Sequence, residues 1–483
     1  MEFMFSFCYI CGKTKANGRN LLKLLTKKQL TDDQKAALKY IQEFIEGPNR
    51  EMVLCGPAGT GKTSLVNVLL AELDKAKFFE YICTATTNKA VEVIARNTGR
   101  EYDRTIYSLE GLTVKDEDDR GAKLVREPGS QSKLKDYDLV IVDEASMVPV
   151  QLIQEIEYDL MEHSRPKVLY IGDRCQLPPV SDRLMGMTES MVFQLPLWFE
   201  LTKVMRTALD NPILKLVTGM RADMTTEADS FAYEDSVTEE GDGVRFYDNR
   251  NMFMDAMYGM FTSDEYKNDT DYCMAVAWTN NAVDAINRAV RKRIYPGMAA
   301  EYAEGEEVRV SIAFRRPVPG KKDVFYPVYS MEERLRIMEV EEVNDPKYDI
   351  ECYKVTVCNF RALAKNRTTT IAYVLKKSSM DKYNILLTEK AAECKEREKE
   401  PNHNGKGHLY TKKEAWAPYN DLRRFYLWVD YIYAMTTHKA QGTTVQNVFV
   451  VERDMNLNQD VVERNKLKYT AFTRASNQLH ILV

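Results

Sequence analysis

The chain has 483 residues and a net charge of −5, with 44% hydrophobic and 29% charged residues. This length exceeds what one compact core fills and predicts roughly two to four domains, while the composition is that of an ordinary soluble protein. The mildly negative charge excludes a uniformly basic nucleic-acid binder, although a local basic channel would still suit a phosphate backbone.

The nine cysteines are scattered, and most of them sit in apolar runs. We therefore expect a reducing, cytoplasmic setting without a disulfide framework. Residues 1–28 contain Cys8 and Cys11, but no second Cys/His pair lies nearby to complete a tetrahedral zinc site, so we interpret both as unliganded cysteines of an N-terminal extension. No apolar run reaches about 18 residues, so no transmembrane helix is expected. The short apolar start also lacks the basic region of a signal peptide.

The first helix is predicted over residues 33–45, with Thr31 or Asp32 as its N-cap. Gln34 lies in the first turn of this helix, just upstream of a glycine-rich segment. Its amide is either a solvated surface group or a group that hydrogen-bonds the edge of an adenine. The sequence leaves both interpretations open.

Residues 56–63 fit the pattern G-x-x-x-x-G-K-[ST] in full, between an apolar run at 52–55 and a helix-like run at 64–73. This context indicates a phosphate-binding loop, because backbone N–H groups and the positive end of a helix would face the phosphates. Lys62 would neutralise the β- and γ-phosphates, and the Thr63 hydroxyl would ligate Mg²⁺. The predicted nucleotide-binding residues are Gln34, Gly56, Pro57, Ala58, Gly59, Thr60, Gly61, Lys62 and Thr63.

Two hydroxyl-rich segments follow. A buried strand at 81–83 runs into a turn at 84–90 that starts another helix, and a similar cluster occupies 105–109. A turn of this kind at the carboxyl end of a strand suits a backbone phosphate, but ordinary helix capping explains it equally well.

Residues 111–136 are charged, contain glycine and lack any aromatic side chain, with Leu124 and Val125 between polar flanks. We predict a small exposed β-hairpin here.

The apolar strand 138–142 then ends in the adjacent carboxylates Asp143 and Glu144. After a phosphate-binding loop, this pair predicts a magnesium ligand in Asp143 and a base for the attacking water in Glu144.

A further strand, 167–171, ends in a proline-flanked loop that carries Gln176. A glutamine at this position can sense the γ-phosphate.

Beyond about residue 206 the pattern restarts with a helix at 212–221, an acidic loop at 225–243 and a buried strand at 274–278. The last predicted elements are a strand at 447–451, a helix at 469–476 that carries Arg474, and a strand at 479–483. Residues 299–425 alternate short β-like runs with basic or Gly/Pro turns and are interpreted as an inserted, mainly β domain.

In their order and spacing, these segments resemble superfamily 1 helicases, in particular the 1B branch of RecD- and Dda-like enzymes. The specific matches are 172–179, 437–442 and 469–474, and the resemblance spans about residues 30–483. It implies an α/β fold with two RecA-like P-loop NTPase lobes that have parallel sheets, a small hairpin insertion and an inserted mainly β domain of the SH3 type. It also implies ATP between the lobes, single-stranded DNA across their top and 5′→3′ translocation.

The resemblance implies the following division of the chain. The N-terminal extension is 1–28, the first lobe 29–110 with 137–205, the hairpin or pin insertion 111–136, the second lobe 206–298 with 426–483, and the inserted domain 299–425.

The resemblance also assigns roles to single residues. Gln34 matches an adenine contact, Lys62 the phosphate lysine, and Thr63 with Asp143 the magnesium ligands. Glu144 matches the catalytic base, Gln176 the γ-phosphate sensor, and Arg206 and Arg474 the arginines that reach the γ-phosphate from the second lobe. The DNA-facing positions are Thr84, Thr86, Tyr107, Thr437 and His438, and the pin positions are Leu124 and Val125.

The implied cofactors are ATP and Mg²⁺, and the implied partners are single-stranded DNA and junctions of single- and double-stranded DNA. A single-stranded-DNA-binding protein or other replication or recombination proteins are further candidate partners. We expect a monomer without membrane contact, in the host cytoplasm if the chain is encoded by a phage. Three alternatives stay open: a translocase that displaces proteins without opening duplexes, a DNA-binding subunit of a RecD-like assembly, and an enzyme that acts on RNA.

Overall fold

The structure is a computed structural model. It describes residues 30–75, 79–100, 104–117, 121–126, 129–203, 211–225, 233–318, 320, 325–362, 367–401 and 408–483. The predicted N-terminal extension with Cys8 and Cys11, and the predicted arginine Arg206, lie outside the described residues.

The first part of the chain forms a five-stranded, wholly parallel sheet with the order β2-β5-β6-β1-β7. Its strands are β1 Glu51–Cys55, β2 Tyr81–Ala85, β5 Leu139–Asp143, β6 Lys167–Gly172 and β7 Trp198–Glu200. Its helices are α1 Asp32–Glu46, α2 Lys62–Leu73, α3 Asn88–Thr98, α4 Ile106–Leu109, α5 Val150–Glu162 and α6 Val180–Leu184.

Alternation along each strand explains the two cores of this lobe. Met52 and Leu54 of β1 face a cluster with α1, α2 and α3, whereas Val53 and Cys55 face a second cluster with α4 and α5. Successive side chains of a strand point to opposite faces, so a strand buried on both faces is a continuous apolar run. The predicted N-cap is confirmed, because the Thr31 hydroxyl accepts the Gln34 N–H at the start of α1.

The predicted hairpin is confirmed as the antiparallel pair β3 Leu112–Glu117 and β4 Gly121–Arg126. Its base is attached to the first lobe. Leu112 is fully buried in the cluster with α4 and α5, and Leu124 packs against the same cluster.

The second lobe is a six-stranded sheet with the order β18-β10-β19-β20-β9-β8, parallel except for the edge pair β8–β9. Its strands are β8 Ser236–Val237, β9 Gly243–Tyr247, β10 Cys273–Ala277, β18 Ala434–Thr436, β19 Val445–Val451 and β20 Ala475–Leu482. Its helices are α7 Pro212–Met220, α8 Arg250–Phe261, α9 Asp264–Asn268, α10 Asn280–Ile294, α14 Thr437–Ala440, α15 Glu452–Met455 and α16 Val461–Phe472.

One predicted element of this lobe is wrong in its bounds. The last helix ends at Phe472, not at residue 476, and Arg474 lies in the turn that follows it. The reason is strand pairing, since β20 begins at Ala475, which pairs with Val445 of β19.

The third sheet is antiparallel, with the order β16-β15-β14-β11-β17, and a separate hairpin joins β12 to β13. The strands are β11 Glu307–Val310, β12 Phe314–Pro317, β13 Phe325–Tyr329, β14 Arg334–Asn344, β15 Glu351–Cys358, β16 Thr369–Leu375 and β17 Val429–Tyr431. Three helices accompany them: α11 Met380–Lys399, α12 Lys412–Ala415 and α13 Ala417–Phe425. Strand β17 pairs with β11, although the predicted division assigned residues from 426 onward to the second lobe.

Among the described residues, no helix is both long enough and apolar enough to cross a membrane.

Candidate nucleotide and nucleic-acid site

The glycine-rich segment forms a turn between β1 and the start of α2 at Lys62. Gly59 and Gly61 have φ values of 79° and 76°, which favour glycine. At Gly56 a Cβ atom would lie only 3.0 Å from the carbonyl oxygen of Leu201, so the close approach of this backbone also favours a glycine. The segment therefore wraps closely around the N-terminus of α2, as a phosphate-binding loop requires.

Lys62 and Thr63 start helix α2 beside this loop. The Lys62 ammonium donates to the carbonyl oxygens of Gly56 and Pro57, at 2.6 and 3.0 Å, and thus lies over the loop. Thr60 closes the turn with a bond of 2.8 Å to the Pro57 carbonyl. Thr63 is exposed on the first turn of the helix. The structure thus places a cation over the loop and an exposed threonine directly after it.

Gln34 is 1% exposed, so its interpretation as a solvated surface group is wrong. Its side-chain Nε2 donates to the carbonyl oxygens of Thr60 and Gly61, at 3.1 and 3.3 Å. Its Oε1 accepts the Thr31 N–H at 3.0 Å. In this structure Gln34 braces the phosphate-binding loop, and its role toward adenine stays a prediction.

Asp143 and Glu144 follow one another at the carboxyl end of β5. The Asp143 carboxylate accepts the Glu144 N–H at 2.9 Å. Glu144 adopts the left-handed conformation, with a φ of 54°, which is uncommon outside glycine and is found at functional sites. Burial, reinforced by the charge of Glu144, raises the pKa of Asp143 to about 6. Two adjacent carboxylates are therefore held beside the loop at an energetic cost.

A magnesium ion would find suitable ligands here. The Thr63 hydroxyl and the Asp143 carboxylate are hard oxygen donors, and Mg²⁺ in phosphate sites takes few protein ligands besides phosphate oxygens and water. In the part of the chain that the structure describes, no group of three or more His, Cys, Asp or Glu side chains forms a dedicated metal cage. The residues present thus fit a magnesium ion that is shared with a nucleotide.

Gln176 lies in the loop that follows β6. The start of this loop is close to the carboxylate pair, since a Cβ atom at Gly172, the last residue of β6, would lie 3.1 Å from the Cβ of Ala145, which follows Glu144. The Gln176 N–H donates to the Asp173 carbonyl at 3.1 Å. Its side chain is 8% exposed, and its Oε1 has no hydrogen-bond partner among the described residues.

The same loop reaches into the second lobe. Leu177 is fully buried in the core of that lobe. Its N–H donates to the Thr470 hydroxyl at 3.2 Å, and its carbonyl accepts the Gln441 side chain at 2.9 Å. The predicted sensor Gln176 therefore lies at the junction of the two lobes.

Arg474 is close to this junction but points into its own lobe. It is 4% exposed, and its guanidinium donates to the Thr470 carbonyl at 3.0 Å and to the Thr473 hydroxyl at 2.9 Å. The structure does not bring Arg474 together with Lys62.

The predicted DNA-facing threonines are all buried but differ in their hydrogen bonds. Thr84 is fully buried and donates to the Arg104 carbonyl at 2.8 Å, and Thr437 is fully buried and donates to the Ala277 carbonyl at 3.3 Å. Thr86 is buried, and its hydroxyl has no partner within the described parts of the chain. The helix caps next to them are Thr87 and Thr436, not the predicted contacts.

Tyr107 and His438 are both half-buried. Burial raises the pKa of Tyr107. Burial, with the nearby charge of Arg183, lowers the pKa of His438 to about 4, so this imidazole is neutral at physiological pH. Its Nε2 lacks a hydrogen-bond partner among the residues that can be described.

The two segments that carry predicted DNA-facing threonines, 84–90 and 436–443, meet across the lobes. Gly442, with a φ of 71°, approaches so closely that a Cβ atom there would lie 3.2 Å from the Ala90 Cβ and 3.6 Å from the Thr87 hydroxyl. The structure thus brings together one predicted DNA-facing segment from each lobe.

The predicted pin residues lie in the body of strand β4. Leu124 is half-buried, and its N–H donates to the Gln151 side chain at 3.3 Å. Val125 is also half-buried, and its carbonyl accepts the Thr113 hydroxyl at 3.2 Å. Residues 118–120, between the two strands, lie outside the described residues.

Sequence reasoning missed three residues that surround the sensor loop. Asp173, Arg221 and Tyr469 make contacts across the lobe boundary. Asp173 and Tyr469 belong to matched segments, but nothing in the sequence marks Arg221, which follows an ordinary amphipathic helix.

The comparisons with known proteins agree with this architecture. A family described as AAA domain matches residues 29–242, and the UvrD-like helicase C-terminal domain matches residues 431–482. The ATP-dependent DNA helicase Dda of Enterobacteria phage T4 is 24% identical over 461 residues, which cover 93% of this chain and 98% of that protein. An uncharacterized protein of Acanthamoeba polyphaga mimivirus is 22% identical and covers 95% of this chain and 99% of its own length.

Two solved structures resemble the chain more distantly. The Pif1 helicase from Bacteroides in complex with ADP-AlF3 and single-stranded DNA has a TM-score of 0.47 at 16% identity, covering 93% of this chain and 92% of that one. Pif1 from Candida albicans has a TM-score of 0.44 at 16% identity and covers 94% of both chains. Because both TM-scores are below 0.5, the resemblance to helicases rests on the sequence matches. These matches confirm the predicted resemblance to the Dda-like helicases of superfamily 1.

Proposed function

We propose that this chain is an ATP-dependent DNA helicase that translocates 5′→3′ on single-stranded DNA and opens duplex DNA. The observation that carries the proposal is the loop of Gln176. It begins after Gly172, which lies against Ala145 next to Glu144, and it inserts Leu177 into the core of the second lobe. A conformational change at the nucleotide site can therefore be transmitted to the second lobe through this loop. The full-length similarity to phage T4 Dda supports the reaction class.

Hydrolysis of ATP would follow from the side chains at the loop. Lys62 already lies over the phosphate-binding turn and would exchange its two carbonyl partners for phosphate oxygens. Glu144 would orient the attacking water and accept its proton. Thr63 and Asp143 would hold Mg²⁺, which when bound neutralises charge on the phosphate oxygens.

Arginines of the second lobe would complete the site. Arg474, and Arg206 by its match, are proposed to reach the γ-phosphate when the lobes close. In this structure Arg474 is bonded to Thr470 and Thr473, so it would have to leave these partners on closure. A guanidinium that arrives only in the closed state couples hydrolysis to lobe motion, and lobe motion to a step along DNA.

Single-stranded DNA is proposed to cross the place where the segments 84–90 and 436–443 meet. Thr86 and His438 are the best candidates for direct contacts, because each has a buried polar atom without a partner among the described residues. Thr84 and Thr437 are already bonded to carbonyl oxygens and would act by shaping the backbone.

A second candidate function is a translocase that displaces proteins without opening duplexes. Leu124 favours it, because a side chain packed against the lobe core is poorly placed to act as a wedge. We also propose that the chain works as a monomer in the cytoplasm of a host cell, together with a single-stranded-DNA-binding protein or with replication or recombination proteins.

The experiment that tests the proposal is ATP-driven opening of a forked DNA duplex under single-turnover conditions, measured beside ATP hydrolysis stimulated by single-stranded DNA. The matched control is Lys62→Ala, which removes the cation proposed to neutralise the phosphates. The helicase proposal requires both activities in the parent and neither in the variant. Hydrolysis without opening would favour the translocase, and DNA binding without hydrolysis would favour a non-catalytic subunit.

A further inference from the structure

A cluster of buried polar side chains crosses the boundary between the lobes next to the sensor loop. Asp173 follows β6 of the first sheet and is 1% exposed. Arg221 follows α7, which packs in the core of the second lobe, and its guanidinium forms an ion pair with the Asp173 carboxylate. Tyr469 of α16 donates its hydroxyl to Asp173 Oδ2 at 2.5 Å, and Arg221 Nη1 donates to the Tyr469 hydroxyl at 3.1 Å.

The guanidinium of Arg221 also reaches a second strand of the first sheet. Its Nη2 donates to Glu200 Oε1 at 3.3 Å. Glu200 ends β7, where it pairs with Cys55, the residue before the phosphate-binding loop. Because the strand order is β6-β1-β7, one guanidinium from the second lobe bridges the two strands on either side of the strand that leads into this loop.

The carboxylate that Arg221 holds also shapes the turn that presents Gln176. Asp173 Oδ1 accepts the Cys175 N–H at 3.1 Å, and the Asp173 carbonyl accepts the Gln176 N–H at 3.1 Å. The position of the Gln176 side chain therefore depends on the orientation of Asp173. A carboxylate this deeply buried is stable only with its countercharge and its hydrogen-bond donors.

We propose that Arg221 is a positioning residue for ATP hydrolysis. From the second lobe it fixes Asp173 and, through Asp173, the Gln176 side chain, so that the sensor loop has its working shape only while the two lobes are docked. This inference rests on the proposed function of the site. Arg221 is not proposed to contact the nucleotide, whereas Arg474 and Arg206 are.

The test is steady-state ATP hydrolysis at saturating single-stranded DNA, with kcat and KM for ATP measured separately. Arg221→Gln is expected to lower kcat at least about tenfold and to change KM less than about twofold, because an orientation is lost and not a ground-state contact. Arg221→Lys keeps the charge but lacks the fork that bridges Asp173 and Glu200, so its kcat should be intermediate. Arg183→Gln is the matched control, because Arg183 pairs across the lobes with Glu463 and does not contact Asp173. Its kcat should stay within about twofold of the parent.

A double variant separates positioning from stability. Arg221→Gln leaves the buried Asp173 carboxylate uncompensated, and adding Asp173→Asn removes that charge. The double variant should therefore recover the melting temperature while its kcat stays low. Recovery of kcat together with the melting temperature would overturn the inference, since Arg221 would then be merely structural.

Two other outcomes would overturn it as well: a raised KM with unchanged kcat, and parental kinetics in Arg221→Gln. Failure of the parent to open DNA while it hydrolyses ATP would count against the helicase proposal alone. A parent without ATP hydrolysis would overturn both.

Discussion

Replacing Asp143 by asparagine is expected to stabilise the protein in the absence of nucleotide and Mg²⁺. In the folded chain the pKa of Asp143 is raised from 3.8 to about 6, first by burial and then by the charge of Glu144. Each pKa unit corresponds to about 1.4 kcal/mol, so the full shift represents about 3 kcal/mol at neutral pH. Because Asp143 is only half-buried and solvent screens its charge, we expect about half of this value, or about 1.5 kcal/mol.

The pH dependence of this gain follows from the direction of the shift. The folded state binds the Asp143 proton more tightly than the unfolded state does. The parent therefore bears no cost below pH 3.8, a growing cost as the pH rises, and the full cost above about pH 6. The advantage of Asp143→Asn should be complete at pH 7.5 and about half as large at pH 5.

The assay is thermal unfolding of the parent and of Asp143→Asn at pH 5 and pH 7.5, with chelator and without nucleotide. For a lobe of this size, about 1.5 kcal/mol corresponds to about 3–6 °C in melting temperature. Asp138→Asn is a control of opposite sign. Asp138 directly precedes β5, and the two hydrogen bonds that its carboxylate accepts from Arg165 lower its pKa, so this variant should lose stability. A lower melting temperature for Asp143→Asn at pH 7.5, or a gap that widens at pH 5, would refute the reasoning.

Three further predictions concern the reaction and the substrate. Glu144→Gln should bind ATP and DNA like the parent but have a kcat lower by a factor of about 10²–10⁴, because the attacking water loses its base. Normal turnover in rapid-quench measurements would show that Glu144 is not the base. Arg474→Ala should leave the affinity for a fluorescent ATP analogue nearly intact and impair hydrolysis, whereas a loss of affinity alone would make Arg474 a ground-state contact. The affinity for single-stranded DNA should fall as salt rises, despite the net charge of −5, because phosphate contacts release counterions; an affinity independent of salt in a fluorescence titration would argue against a backbone-tracking channel.

The parts of the fold that depend on local pattern could be predicted from the sequence. The strands of the first lobe are buried on both faces, so they appear as continuous apolar runs, and the strand predicted at 274–278 is found at Cys273–Ala277. The helix predicted at 469–476 was placed too late in the chain, because it runs over Val461–Phe472 and its end is set by pairing of Ala475 with Val445, a contact between residues far apart in the chain.

In the candidate site, too, the residues of a local pattern could be predicted, and those that depend on contacts between distant residues could not. The glycines and Lys62 are recognisable because their spacing is fixed by the loop itself. The burial of Gln34 could not be predicted, since its side chain bonds to Thr60, 26 positions further along the chain. The ion pair of Arg221 with Asp173 could not be predicted from the sequence, because the two residues lie on different lobes and meet only when the lobes dock.

The polarity of unwinding tests the central claim most directly. Two matched DNA duplexes would be compared under single-turnover conditions with ATP and Mg²⁺, one with a 5′ single-stranded tail and one with a 3′ tail. Opening of the 5′-tailed duplex alone is the predicted result. Opening of the 3′-tailed duplex alone would contradict the proposed direction, although the nucleotide site could stand. Failure to open either duplex, while single-stranded DNA still stimulates ATP hydrolysis, would contradict the helicase assignment and leave the translocase.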